Sequence, residues 1–292
     1  MNALTLPTPF EEILSNDDPQ AHWLSPSRTV HNISRHPYDI TASDISPSYQ
    51  AWLDKGGREN KRLARTLRRL GRHEQADRVD FCRTTCKHLN GTPFIFSCHQ
   101  PLCFFCSHQR KRRLDDRWGV AAASIIHPQF LTLTLRGRRH LAGVRSDLAA
   151  NFRRMRRLQH FQERCAGGFY CLEFSYSRKR DLFHPHLHAL IDADGLTSSW
   201  LSRSWKGYTS AYVVDLRTVP KDEIKRTFLY MLKGPCSSLE PRAVSEVYSS
   251  LGGAPLFQAF GIVTRRHGLC SVCRDKSQIG FGETCGHARH WK

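Results

Sequence analysis

At 292 residues, 40% hydrophobic and 24% charged, the chain is long enough for a sizeable core and too apolar for wholesale disorder. Lys and Arg number 44 against 26 Asp and Glu, and the formal charge of +18 favours a phosphate-rich partner over an acidic one. No apolar run approaches membrane-spanning length, and the start has no basic segment leading into an apolar one, so neither a membrane span nor secretion is expected.

In a reducing compartment, eleven cysteines point to metal ligation rather than disulfides.

Residues 1–48, rich in Pro, Ser, Asp and His without a sustained period, are predicted to be a disordered arm. Residues 49–80 are predicted to be helical, with Trp52, Leu63, Leu67 and Leu70 at helical spacing. Arg58, Lys61, Arg62, Arg65, Arg68, Arg69 and Arg72 lie between them, at a density of one sign that favours phosphate contact. Five cysteines follow, then the basic run Arg110, Lys111, Arg112, Arg113. Together these make 49–118 a basic helical, Cys-rich region.

From 119 to 265 the pattern becomes that of a sheet domain. Strands are predicted at 130–135, 168–176, 184–192 and 211–219. An amphipathic helix at 147–161 carries Arg153, Arg154, Arg156 and Arg157. A helix at 220–234 has Pro220 in its first turn, Asp222 and Glu223 complementing its dipole, and Gly234-Pro235 ending it. Strands and helices joined by short links make an α+β fold.

Two features of this domain bear chemistry. In HPHLHALI, residues two apart share a strand face, so His186 and His188 point together while Leu187, Ala189 and Ile191 face the core. Glu173, on the preceding strand, faces the pair if 175–183 reverses the chain. Two imidazoles and a carboxylate with open positions suit Mg2+ or Mn2+ beside a phosphate oxygen. Tyr230 and Lys233, three apart, share a helix face. A phenol, with its ordinary pKa of about 10, is a weak nucleophile at neutral pH. A nearby cation and a polarised phosphate are what it needs to attack.

The cysteines fall into groups. Cys82, Cys86, Cys98, Cys103 and Cys106 end in C-x4-C-x2-C, close to zinc-site spacing, and four ligands leave one residue spare. A Cys82/Cys86 pair with Cys103/Cys106 is one arrangement; His88, His99 and His108 lie nearby. The tail, 266–292, holds Cys270, Cys273 and Cys285 with His287 or His290 as fourth ligand. It has too little apolar content to fold without a metal staple, so it reads as a second, ribbon-like zinc module. Cys165, Cys171 and Cys236 are isolated and read as structural.

FLTLTL, then HPHLHALI, then a helix with Tyr and Lys is the order of three motifs in rolling-circle replication initiators. Over about residues 80–265 the chain resembles the plasmid Rep proteins of that group, members of the HUH endonuclease class. CHQPLCFFCSHQRKRR resembles their Cys-rich segment, and the family pattern takes Cys82, Cys98, Cys103 and Cys106 as the zinc ligands.

The resemblance implies a ferredoxin-like antiparallel sheet of the HUH type with helices on one face, plus small zinc-binding modules. It implies a metal on the sheet face, nicking of single-stranded or hairpin origin DNA by Tyr230, a 5′-phosphotyrosyl intermediate and rejoining. It also implies a bacterial, cytoplasmic setting with a host helicase and polymerase as partners. Some members carry a Glu four residues before the Tyr; here that position is Arg226, with Glu223 a turn away. Two other readings are an HUH single-strand transposase and a non-catalytic zinc-finger nucleic-acid-binding protein.

Overall fold

A computed structural model describes residues 47–83, 86–89, 92–211, 213–251 and 255–261. Nearly all of the predicted arm, and all of the predicted tail module with Cys270, Cys273, Cys285 and His290, lie outside the described residues.

The chain begins with α1 (Pro47–Arg69), which buries Leu63, Ala64 and Leu67. It stops at Gly71, whose φ of +72° favours a residue with no Cβ, and α2 (His73–Asp80) follows. The one helix predicted over 49–80 is therefore two. A hairpin of β1 (Cys86–Leu89) and β2 (Thr92–Ile95) precedes α3 (Phe104–Ala123). Sequence reading assigned no helix to this stretch, although Gln109 to Leu114 are all straight-chain helix formers. A boundary at 118 falls inside α3, so the Cys-rich region and the sheet domain share a helix.

Then come β3 (Pro128–Thr134), α4 (Val144–Arg156), α5 (Gln159–Arg164), β4 (Cys165–Ser177) and β5 (Leu182–Ala193). They are followed by α6 (Ser198–Thr209), β6 (Val214–Thr218), a 3-10 turn (Lys221–Glu223), α7 (Ile224–Met231), α8 (Pro241–Ser250) and β7 (Phe257–Gly261). The helix predicted over 147–161 is split between α4 and α5. The strand predicted over 211–219 is confined to β6. The helix predicted over 220–234 resolves into the 3-10 turn, α7 and a closing turn.

The five-stranded sheet has the order β6-β3-β5-β4-β7, every neighbouring pair antiparallel. Side-chain alternation divides it into two faces. On one, Leu131, Leu133, Leu172, Leu187 and Ala189 pack against Phe152 of α4, Trp205 of α6 and Val247 of α8. Phe152 and Trp205 are fully buried, each contributing on the order of 2–3 kcal/mol of hydrophobic stabilisation. On the other, Phe130, Cys171 and Leu190 pack against Trp118 and Ala122 of α3 and Ile224 and Phe228 of α7. Helices thus cover both faces, not one. The reason lies in β3, β4 and β5, whose outward positions are apolar at one end and must be covered. α8 belongs to two clusters: Val247 packs on the sheet, Val244 on the α1–α3 module.

Candidate functional site

The second sheet face turns polar where α7 crosses it. The segment 175–183 reverses the chain, so β4 and β5 pair antiparallel with Glu173 opposite His186 and Cys171 opposite His188. On the other side Thr132 of β3 lies opposite His188. Alternation therefore brings Thr132, Glu173, His186 and His188 to one face.

A continuous chain of polar contacts links this face to α7. The Glu173 carboxylate accepts from His188 Nε2 at 2.9 Å and from Lys233 Nζ at 2.9 Å. Lys233 Nζ also donates to the Tyr230 hydroxyl at 3.2 Å and lies 4.4 Å from the ring centroid. The Tyr230 ring stands edge-on to His188 and to Phe130, with centroids 6.3 and 6.2 Å away. α7 ends at Met231, and Lys233 is reached through the turn beyond it, where Lys233 N–H donates to the Tyr230 carbonyl at 3.3 Å. Lys233 is thus not a helical residue, yet the turn returns it beneath Tyr230.

Burial alone pushes Glu173 up, but the His188 hydrogen bond and the Lys233 charge outweigh it and hold the carboxyl below its ordinary value. Burial works against the Lys233 ammonium, and Glu173 more than compensates, keeping it above its ordinary value. Burial, with the neighbouring His188, pushes His186 down to about 4, so it is neutral at physiological pH. His186 Nε2 lies 3.3 Å from Ser175 Oγ, while its Nδ1 is buried with no hydrogen-bond partner. His188 Nδ1 is 3.1 Å from Thr132 Oγ1; with Nε2 donating to Glu173, Nδ1 of the neutral ring accepts from that hydroxyl.

Two imidazoles and a carboxylate thus share the face, with the buried His186 Nδ1 left orphaned. They are not gathered as tightly as the cysteines. Among the described residues, Cys82, Cys98, Cys103 and Cys106 form the one set of three or more His, Cys or carboxylate groups with donor atoms within 4.8 Å of one another. In the sheet, His186 is turned towards Ser175 and Glu173 is engaged by Lys233.

The four cysteines are buried and can hold a metal ion such as zinc. Their sulfurs lie 3.5 Å apart for Cys82–Cys103 and 3.6 Å for Cys82–Cys106 and Cys98–Cys106. Disulfide sulfurs lie about 2.05 Å apart. Four sulfurs about 2.3 Å from a central ion are about 3.8 Å apart at the corners of a tetrahedron, close to the spacing here. Cys103 occupies the N-cap position of α3 without a capping hydrogen bond from its side chain, Cys106 lies in the first turn, and the helix dipole favours thiolate there. The neighbouring thiols, with the His99 N–H 3.2 Å from its sulfur, hold Cys106 well below the ordinary thiol value. The side chain of Cys86, in β1, lies outside the described residues; the gathered set includes Cys98, which the alternative arrangement left out.

Asn60 is buried behind the cluster. Its side-chain NH2 lies 3.4 Å from Cys103 Sγ, and its carbonyl oxygen accepts from Phe104 N–H at 2.9 Å, satisfying the start of α3. Sequence reading missed Asn60, Thr132 and Ser175. Alternation in FLTLTL signals Thr132, because it shares a face with Phe130 and Thr134. Nothing local signals Asn60, which sits 43 residues from Cys103.

The candidate DNA-binding cations divide. Arg112, Arg113, Arg153, Arg154 and Arg157 are exposed; Lys111 is half-buried. Arg110 donates to the carbonyls of Gln100 (3.2 Å) and Pro101 (2.7 Å) and so fastens the loop before α3. Arg156 is inserted among Phe152, Tyr170 and Phe260, 4.3 Å from the last ring centroid, and burial lowers its pKa. Glu223 lies in the exposed 3-10 turn ahead of α7, and Arg226 is exposed on α7.

Compared with known proteins, the chain matches no family model, no curated protein and no solved structure. No described helix is long and apolar enough to cross a membrane.

Proposed function

We propose that the chain is a metal-dependent DNA nicking and joining enzyme of the HUH class, acting as a rolling-circle replication initiator on single-stranded or hairpin origin DNA. The observation that carries this reading is the chain Tyr230–Lys233–Glu173–His188: a phenol, a cation, a carboxylate and an imidazole from three separate elements meet on one sheet face. A structural tyrosine on an amphipathic helix has no need of it. The strand order β6-β3-β5-β4, with crossover helices α4, α5 and α6 on the opposite face, is that of a ferredoxin-like sheet and supports the same reading.

In this mechanism the Tyr230 oxygen attacks a backbone phosphorus. The bond from phosphorus to the 3′ oxygen breaks, leaving a 3′-OH and a 5′ phosphate joined to Tyr230. Attack by a 3′-OH on that phosphorus reverses the step and rejoins the strand. Lys233 holds the Tyr230 oxygen and stabilises negative charge on it when the tyrosine leaves. Glu173 positions Lys233 and His188 together. His186, His188 and Glu173 would hold Mg2+ or Mn2+, which when bound polarises a phosphate oxygen. The Cys82, Cys98, Cys103 and Cys106 site would hold a structural zinc.

The test is incubation of wild type and Tyr230→Phe with single-stranded origin oligonucleotides and Mn2+. A covalent protein–DNA adduct is expected in wild type alone. An equal yield in the Phe variant sinks the role of Tyr230. The second reading, a non-catalytic zinc-finger DNA-binding protein, is favoured by the tighter gathering of the cysteines than of the His186 site. It requires that no adduct form in either protein while DNA is still bound.

A further inference from the structure

From Lys55 onward one face of α1 carries only cations, while the paired Gln50 and Asp54 share the same arc in the turns before it. Lys55, Arg58, Lys61, Arg62, Arg65, Arg68 and Arg69 fall within about 140° of the helical wheel, and all are exposed. A cleft of about 350 Å³ opens from this face towards the cysteine cluster. Lys61, Arg65 and Arg68 line it against a single carboxylate, Asp80, with Asn60 and Cys82 at its inner wall. Arg68 is held by Asp77 (2.8 Å) and Asp80 (2.6 Å), so Lys61 and Arg65 supply the uncompensated charge.

The two glycines of α1 bear on the same cleft. A Cβ on Gly56 would strike the Phe104 and Phe105 rings, so that glycine lets α1 pack on α3. A Cβ on Gly57 would meet nothing within 4 Å, although glycine inside a helix is unfavourable relative to alanine. Gly57 lies on the cleft wall and leaves it open.

We propose that this cleft and the cationic face of α1 seat the phosphate backbone of the DNA beyond the nick, as a docking surface separate from the Tyr230 site. The choice of DNA rests on the function proposed above. α3 sets the separation: Phe105 borders the cleft and Trp118 packs in the layer beneath Tyr230, thirteen residues or about 20 Å along the helix. The strand must therefore run several nucleotides past the nick to reach α1.

The experiment measures equilibrium binding of the full chain to a fluorescent origin oligonucleotide over a salt series. It compares wild type with Lys61→Ala/Arg65→Ala and with Gly57→Leu, which fills the cleft without removing charge. All proteins are checked for retained metal and thermal melting. Wild type should bind with a steep salt dependence. The double variant should bind about tenfold more weakly, with a log–log slope shallower by about 2. Gly57→Leu should also weaken binding, and an oligonucleotide cut back to the nick should bind all three alike. Unchanged affinity and slope in folded variants, or no DNA binding by wild type, overturns the proposal. Adduct formation is a separate readout, so loss of nicking alone counts only against the Tyr230 mechanism.

Discussion

Glu173 accepts from two donors at once, and that determines how it answers to pH. Its pKa is lowered in the folded chain, so it contributes stability above the unfolded carboxyl value of about 4.3 and loses it as pH falls through the lower folded value. Glu173→Gln should cost roughly 1–3 kcal/mol at pH 7. The gap between wild type and variant should narrow at pH 3 in urea melts; a constant gap would contradict the pairing. Lys233→Ala should slow adduct formation by about 10²–10³ while leaving Tyr230 in place, measured as single-turnover rates. At the same scale, burial pushes Cys165 and Cys171 each up to about 12. Iodoacetamide at pH 7.5 should therefore spare both in the native protein and label both after denaturation, as read by mass spectrometry. His186 and His188 were legible as a facing pair because strand alternation is local. Their bond to Lys233 through Glu173 was not, since it depends on where a turn 60 residues from Glu173 comes to rest.

Among the elements, α1 and α3 show how one glycine differs from the next. Gly56→Ala pushes a methyl into Phe104 and Phe105 and should destabilise the chain by about 1–3 kcal/mol. Gly57→Ala meets no neighbour and should stabilise it by up to about 1 kcal/mol. Opposite shifts in thermal melting are the expected result, and equal shifts would refute the packing. Periodicity predicted β3, β4 and β5 closely, because each is central or nearly so and alternates cleanly. It did not predict α3, whose buried apolar residues fall on different sides, Phe105 packing in the cysteine module and Trp118, Ala121 and Ala122 on the sheet. It also ran through the break at Gly71, because the basic pattern continues beyond it.

For the molecule as a whole, the cysteine cluster lies where α1, α2 and α3 meet, and α3 continues to the sheet. Removing a metal held there should therefore unfold more than a local loop. A strong chelator, or Cys98→Ser, is expected to lower the melting temperature, expose Cys82, Cys103 and Cys106 to alkylation, and reduce adduct formation although none of these residues touches Tyr230. Normal melting and nicking after complete metal loss would contradict this. Metal analysis should then return at least one zinc per chain for this site.

The sequence by itself determined what short-range pattern encodes: the basic charge, the alternation that aims His186 and His188 one way, and the spacing that marks Cys98, Cys103 and Cys106. Only the tertiary structure decided which groups meet. It gathered Cys82 with Cys98, Cys103 and Cys106, linked Tyr230 to His188 through Lys233 and Glu173, placed helices on both sheet faces, and took Arg110 and Arg156 into loop and aromatic packing. The physical reason is that periodicity reports the direction of a side chain from its own backbone. Its partner is set by strand order, helix crossing and burial, which arise from contacts far apart in the chain.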